Sequence, residues 1–183
     1  MPSAPTFLDP PELLRHLDLA PGMQVGDFGV GAGAVYSIPA AQLIGRQGRV
    51  FMFDARKSAL SGAAGLAGLK GLDNCQPVWT NLEIYNGASQ VKDEALDAGL
   101  LINLLCQSQL PKGILAEVHR MLKVGAKLLI VDWRPDVKSP IALPASRRSA
   151  DRYVEQLAKS IGFAPVEKFS AGSMNWGLVV AKT

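Results

Sequence analysis

The sequence predicts an α/β chain, a doubly wound three-layer sandwich around a mostly parallel sheet. Three observations predict it. Strand-length apolar runs alternate with helical patterns along nearly the whole chain, as expected of βαβ units with right-handed crossovers. The first run opens onto Gly29-Val30-Gly31-Ala32-Gly33, a glycine-rich strand-to-helix turn of the kind that receives ligands in such sheets. The last two runs flank only Ala171-Gly172-Ser173, too short for a crossover, so they pair antiparallel and close the sheet with a hairpin.

The elements follow in order. After a loose tail over residues 1–9, Pro10 and Pro11 fit the first turn of a short helix to His16, with Asp9 at its N-cap. Pro21-Gly22 turns the chain into a first strand, Gln24 to Phe28. A helix from Ala34 to Ile44 and a second strand from Arg49 to Asp54 come next. The small residues Ala59, Ala63, Ala64 and Ala67 suit a helix from Lys57 to Leu69 to close packing on a sheet. Strand three is Gln76 to Thr80, and Asn81 to Asp97 is a loop or broken helix. Strand four is Ala98 to Leu104, and a helix from Pro111 to Leu122 ends at Val124-Gly125. The unbroken apolar run from Lys127 to Asp132 reads as a strand buried on both faces. Arg134 to Ser149 is the longest loop, Ala150 to Ile161 the last helix, and Pro165–Ser170 and Gly177–Ala181 the closing strands.

Composition narrows the function. The 183 residues fit a single domain spanning 1–183, with 1–20 as a short tail and helix. At 48% hydrophobic and 19% charged the chain reads as an ordinary globular protein. A net charge of +3 without a basic run gives no nucleic-acid signal. Cys75 and Cys106 lie in no CxxC or Cys/His cluster, so no metal site is expected, and they suit a reducing cytoplasm. No signal peptide and no membrane span are read from the sequence.

At the glycine loop, glycine tolerates positive φ and lets a ligand approach the backbone. The helix that follows offers unpaired N–H groups. Asp27, two residues before Gly29, would repel a pyrophosphate but welcome a cationic sulfonium amino acid. Asp54 ends strand two, about 20 residues beyond the loop, where a carboxylate can accept both ribose hydroxyls. The same glycines also satisfy the G-x-G-x-x-G/A pattern of nicotinamide enzymes, and Arg56 and Lys57 would suit a 2′-phosphate. A nicotinamide-dependent oxidoreductase therefore stays open as an alternative.

These residues resemble the class I S-adenosylmethionine-dependent methyltransferases, and within them the small branch related to ubiquinone/menaquinone-biosynthesis methyltransferases. Val25 to Gly33 resembles the first family motif and Gly48 to Asp54 the second. Ile114 to Ala126 resembles the segment before strand five, and Ser160-Ile161-Gly162-Phe163 the signature before the closing strands. The resemblance implies a Rossmann-like sheet of seven strands with strand seven antiparallel. It implies that Gly29, Gly31 and Gly33 line the methionine part of S-adenosylmethionine, that Asp27 lies near its amino group, directly or through water, and that Asp54 holds the ribose. Ala55 joins Asp54 in that set. Asn81, beside Leu82, matches an aspartate that accepts from the adenine amino group; its amide oxygen can still accept, or Glu83 supplies the acid. Asn103, ending strand four, belongs to the cofactor and substrate side.

Methyl transfer from an activated donor needs alignment more than acid–base chemistry. The catalytic residue is accordingly not legible in the cofactor motifs. Weak candidates are Asp132, Gln107 and Trp133, followed by Ser108, Gln109 and Arg134. His16 and His119 fall in helices away from the site. Cys106 lacks the preceding proline of RNA cytosine methyltransferases, and Asp9-Pro10-Pro11-Glu12 lies too early to be an amino-methylation motif. Arg147 and Arg148 read as a solvated loop pair before an anion site. The acceptor is expected to be a small molecule, in a pocket left open or completed by the Arg134–Ser149 loop or by a second subunit of a homo-oligomer. A methyltransferase-like module that binds without turnover is the remaining alternative.

Overall fold

The computed structural model describes residues 8–138 and 144–183. Helices α1 (Pro10–Leu14), α2 (Ser37–Ile44), α3 (Lys57–Leu69), α4 (Pro111–Met121) and α5 (Asp151–Lys159) alternate with strands along the chain. The strands are β1 (Gln24–Phe28), β2 (Arg49–Asp54), β3 (Cys75–Trp79), β4 (Leu96–Ile102), β5 (Leu122–Trp133), β6 (Phe163–Ala171) and β7 (Asn175–Lys182). They form one seven-stranded sheet in the order β3-β2-β1-β4-β5-β7-β6. The first five pair in parallel, and β7 runs antiparallel between β5 and β6. This is the expected doubly wound Rossmann-like sandwich with its closing hairpin. The strand order reverses between β1 and β4, and the crevice beyond the carboxyl ends there is where such sheets bind ligands.

The two sheet faces bury separate cores. Leu13, Leu14, Ala40, Ile44, Leu60 and Ala63 from α1, α2 and α3 pack on one. Ile114, Val118, Met121, Val154 and Ala158 from α4 and α5 pack on the other. Each outer strand carries a proline, Pro77 in β3 and Pro165 in β6. Proline lacks an N–H and is tolerated at a sheet edge, where it also discourages further strand pairing.

Several boundaries differ from the sequence reading. The helix after the glycine loop begins at Ser37 instead of Ala34, because Ala34 takes a left-handed φ of 45°. Asp9 sits at the N-cap of α1, but its side chain makes no capping bond; its carbonyl receives the Leu13 N–H at 3.0 Å. β4 starts earlier and ends at Ile102, since Asn103 turns the chain with φ 53°. β5 follows α4 without a break: its pairing jumps from Leu96↔Leu122 to Ala98↔Lys127, so Val124-Gly125 bulges out of the strand instead of ending the helix. The Asn81–Asp97 stretch is a run of turns with no helix until β4 begins. Of the expected tail, residues 1–7 lie outside the described residues, as do 139–143 of the long loop.

That run of turns is clamped from α4. Glu117, fully buried, accepts from the backbone N–H of Asn86 at 2.7 Å and of Ala88 at 3.1 Å. Arg120 donates to Glu117 from Nε at 2.9 Å and from its terminal nitrogen at 2.8 Å. Its other nitrogen reaches the Val91 carbonyl at 2.9 Å and Asp93 at 2.6 Å. The bonds to Glu117 hold the Arg120 guanidinium well above its ordinary value.

Candidate functional site

A cavity of about 400 Å³ opens at the carboxyl ends of β1, β2 and β3. Gly29, Asp54, Ala55, Asn81 and Leu82, which the sequence reading assigns to the cofactor, line it. Leu104, Gln107, Ser108 and Ile114 form the facing wall, and Arg56, Thr80 and Glu83 complete it.

The glycine loop is built for approach. Gly29 and Gly31 take φ of 87° and 63°, conformations costly for any side chain. Gly29 and Val30 both donate to the Phe53 carbonyl at 2.9 Å, which ties the loop to β2. A Cβ built on Gly31 meets nothing within 4 Å, so the backbone faces open space there.

Asp54 is the strand-end carboxylate at this cavity. It is 8% exposed. Its Oδ2 accepts the Gly31 N–H at 3.1 Å and its Oδ1 the Arg56 N–H at 2.9 Å. The Arg56 side chain adds Nε to Oδ1 at 3.3 Å and a terminal nitrogen to Oδ2 at 3.5 Å. Loop, strand end and carboxylate are therefore one hydrogen-bonded unit.

Asp27 is placed differently. It is not among the lining residues; it lies 2% exposed beneath α2 and accepts the Ser37 hydroxyl at 2.6 Å. Burial is the main cause that raises its carboxyl from 3.8 to about 6, opposed by the Ser37 bond, while Asp54 nearby adds a smaller push upward. The folded carboxyl thus holds its proton up to about pH 6, and the unfolded one releases it near 3.8. The native state binds the extra proton in that window, so stability falls as pH rises from about 4 to 6 and is flat above. Asp27→Asn removes this penalty. It is expected to raise stability at pH 8 by about 1–3 kcal/mol and to flatten the slope between pH 4 and 6, Asp132 keeping its own share. Urea titrations across pH check both; an unchanged slope contradicts the assignment.

Gly31, Gly33 and Asn103 also lie off the cavity wall, Gly31 reaching it through its bond to Asp54. Asn103 accepts the Asn175 side-chain N–H at 2.9 Å, which satisfies it against β7, and its carbonyl receives the Gln107 side chain at 2.6 Å. Asn81 uses its side-chain oxygen on the Glu83 N–H at 3.0 Å. Glu83 in turn accepts the Ser108 hydroxyl at 2.5 Å across the cavity mouth.

Of the candidates for chemistry, Gln107 and Ser108 line the cavity. Asp132 is 1% exposed, and accepts the Cys106 N–H at 2.9 Å and the Trp133 N–H at 2.7 Å. It holds the turn after β4, and burial pushes its carboxyl up. Trp133 is half-buried beside it. Burial, reinforced by Asp132, raises the Cys106 thiol, so it is a poor nucleophile. His16 stacks on Phe169 and pairs with Glu167; His119 packs edge-on against Phe163, and both are remote from the cavity. Arg147 donates to the Gln107 carbonyl at 2.9 Å, and Arg148 to the Arg134 and Val137 carbonyls, so the arginines join residues 147–148 to the turn after β4 and to residues 134–137.

A second cavity of about 540 Å³ adjoins the first through Ser108, which lines both. Cys106, Gln109, Arg147 and Tyr153 surround it. Missed in the sequence were Thr80, Leu104 and Ile114, which come from three separate elements that only the fold brings together.

The family model for the methyltransferase domain matches residues 26–130, from β1 into β5. The chain belongs to that family. Methyl transfer from S-adenosylmethionine is the reaction of this methyltransferase, and the residues present fit that cofactor. The open space at Gly31 admits a chain against the backbone, and Asp54 presents a carboxylate held by two backbone N–H groups.

Solved structures agree on the fold. A SAM-dependent methyltransferase from Aquifex aeolicus is 21% identical, with 97% of this chain and 91% of that one covered at a TM-score of 0.86. Geranyl diphosphate C-methyltransferase from Streptomyces coelicolor, solved with S-adenosyl-L-homocysteine, is 14% identical over 95% of this chain and 78% of that one, at 0.73. The cyclase SpnF, 14% identical over 94% of this chain and 79% of that one, scores 0.79. A shared fold therefore spans different chemistries, and the family match carries the assignment. It is a match to the domain at large and does not single out the quinone-biosynthesis branch. No curated protein matches the methyltransferase in sequence.

The nicotinamide alternative loses its support here. The family match decides against it, and Arg56 lies on Asp54 while Lys57 sits 4.1 Å over the Trp79 ring. Among the described residues no helix is long and apolar enough to cross a membrane.

Proposed function

We propose that the methyltransferase, as a single domain, holds S-adenosylmethionine across Gly29, Gly31, Asp54, Ala55, Asn81 and Leu82 and delivers its methyl group to a small-molecule acceptor. The observation that carries this reading is the Asp54 carboxylate, fixed by the Gly31 and Arg56 N–H groups at the edge of the cavity. Asp27, Gly33 and Asn103 act from behind the wall, holding α2, the loop and β7 in register with it.

When bound, the cofactor supplies an activated methyl on a sulfonium. The chain's residues orient and exclude water. Leu82, Leu104 and Ile114 give the cavity apolar walls, which strengthen the polar contacts inside. Asp132 keeps the turn that carries Gln107 and Ser108, and it is buried behind both cavities, out of reach of an acceptor. The acceptor enters from the second cavity past Ser108. Ser146, Arg147 and Ser149 of the long loop help line that cavity, which supports a part for this loop in the acceptor site. The unpaired thiols of Cys75 and Cys106 suit a cytoplasmic protein.

Incubation with methyl-labelled S-adenosylmethionine and a cell extract, separated into small molecules, protein and RNA, tests the reading. Label in the small-molecule fraction is expected. Label in protein or RNA overturns the acceptor class, and no label in any fraction overturns turnover itself.

A further inference from the structure

We propose that Arg56 is a built-in competitor for the ribose subsite, so that the cofactor binds by exchange with its guanidinium. This rests on the assignment of Asp54 to the ribose.

A carboxylate offers about four lone-pair positions. On Asp54 all four are in use. The Gly31 and Arg56 backbone N–H groups take one on each oxygen, at 3.1 and 2.9 Å. The Arg56 side chain takes the other on each, at 3.3 and 3.5 Å. The backbone donors belong to the loop and stay. A ribose diol also brings two donors to one carboxylate, so it needs the two positions that the guanidinium holds. Diol and guanidinium cannot occupy them together.

Arg56 is suited to yield. Its side chain is 69% exposed against 8% for Asp54, and the contacts are long for an arginine–carboxylate fork. Arg56 also lines the cavity, so it stands in the space the ribose enters. Exposed ion pairs of this kind are weak and salt-sensitive. The exchange therefore lowers affinity modestly and equally for the substrate and product forms of the cofactor, which share the ribose. Its benefit is release: the side chain that returns to Asp54 favours departure of S-adenosylhomocysteine, a step that limits many enzymes.

Calorimetric titration of the full chain with S-adenosylhomocysteine tests this in wild type, Arg56→Ala and Arg56→Gln. Both variants keep the Arg56 backbone N–H. At low salt each is expected to bind about two- to fivefold tighter than wild type. In about 0.5 M sodium chloride the ratio is expected to fall toward one, because screening weakens the competing pair. Equal or weaker binding by the variants overturns the exchange, as does a ratio that salt leaves unchanged. Tightening in Arg56→Ala but not Arg56→Gln also overturns it, since bulk and not charge would then be the obstacle. If no protein binds the ligand, the cofactor reading falls and the exchange with it; equal binding by all three removes the exchange alone.

Discussion

Glu117→Ala is expected to destabilise the methyltransferase by about 3–5 kcal/mol, since it leaves the buried Arg120 guanidinium without its partner. Arg120 is 4% exposed at its side chain and Glu117 0%. The substitution also strands the Asn86 and Ala88 N–H groups that Glu117 receives. Asp93 alone remains as a charge partner, and it is 72% exposed. Because the clamped stretch begins at the cavity wall formed by Asn81, Leu82 and Glu83, cofactor affinity is expected to fall with stability. Urea unfolding of Glu117→Ala and Glu117→Gln measures the effect. The glutamine keeps two hydrogen-bonding atoms and is expected to lose less. A loss under about 1 kcal/mol in the alanine variant contradicts the clamp.

Asp54→Ala is expected to weaken cofactor binding by about a hundredfold or more, with stability changed far less. Hydrogen bonds to a charged acceptor contribute about 1.5–3 kcal/mol each, and the ribose forms two of them in the proposed complex. Removal of the carboxylate also leaves the Gly31 N–H without the partner that steadies the loop. Displacement of Arg56 offsets part of the gain from the diol, so the loss is below the full sum. Titration of Asp54→Ala and Asp54→Asn with S-adenosylhomocysteine measures it; affinity within about threefold of wild type in the alanine variant contradicts the role of Asp54.

The elements with marked ends were legible in the sequence. β1, β2 and α3 fall on the residues expected because turn residues bracket them, as Pro21-Gly22 does before β1 and Gly45 to Gly48 before β2. The start of α2 was not legible, since nothing in the sequence marks Ala34 for a left-handed conformation. Strand parity carried information about Asp27 that motif spacing did not. Val25 and Asp27 share one face of β1, and Val25 packs in the core beneath α1, α2 and α3. Asp27 is thus turned into that layer, whereas Asp54, at a strand end, meets the cavity. The clamp had a comparable signal. Glu117 falls within the Ile114, Val118 and Met121 stripe of α4, and an acid on an apolar face requires a buried partner. The facing wall of the cavity had none, because Leu104 and Ile114 are ordinary apolar residues until the strand order places them opposite Asp54.

Parallel calorimetric titration of the wild-type chain with S-adenosylhomocysteine and with NAD(P) tests the central claim most directly. The account predicts saturable one-to-one binding of S-adenosylhomocysteine, weakened about a hundredfold or more in Asp54→Ala, and no heat from either dinucleotide. Binding of a dinucleotide without binding of S-adenosylhomocysteine would contradict it.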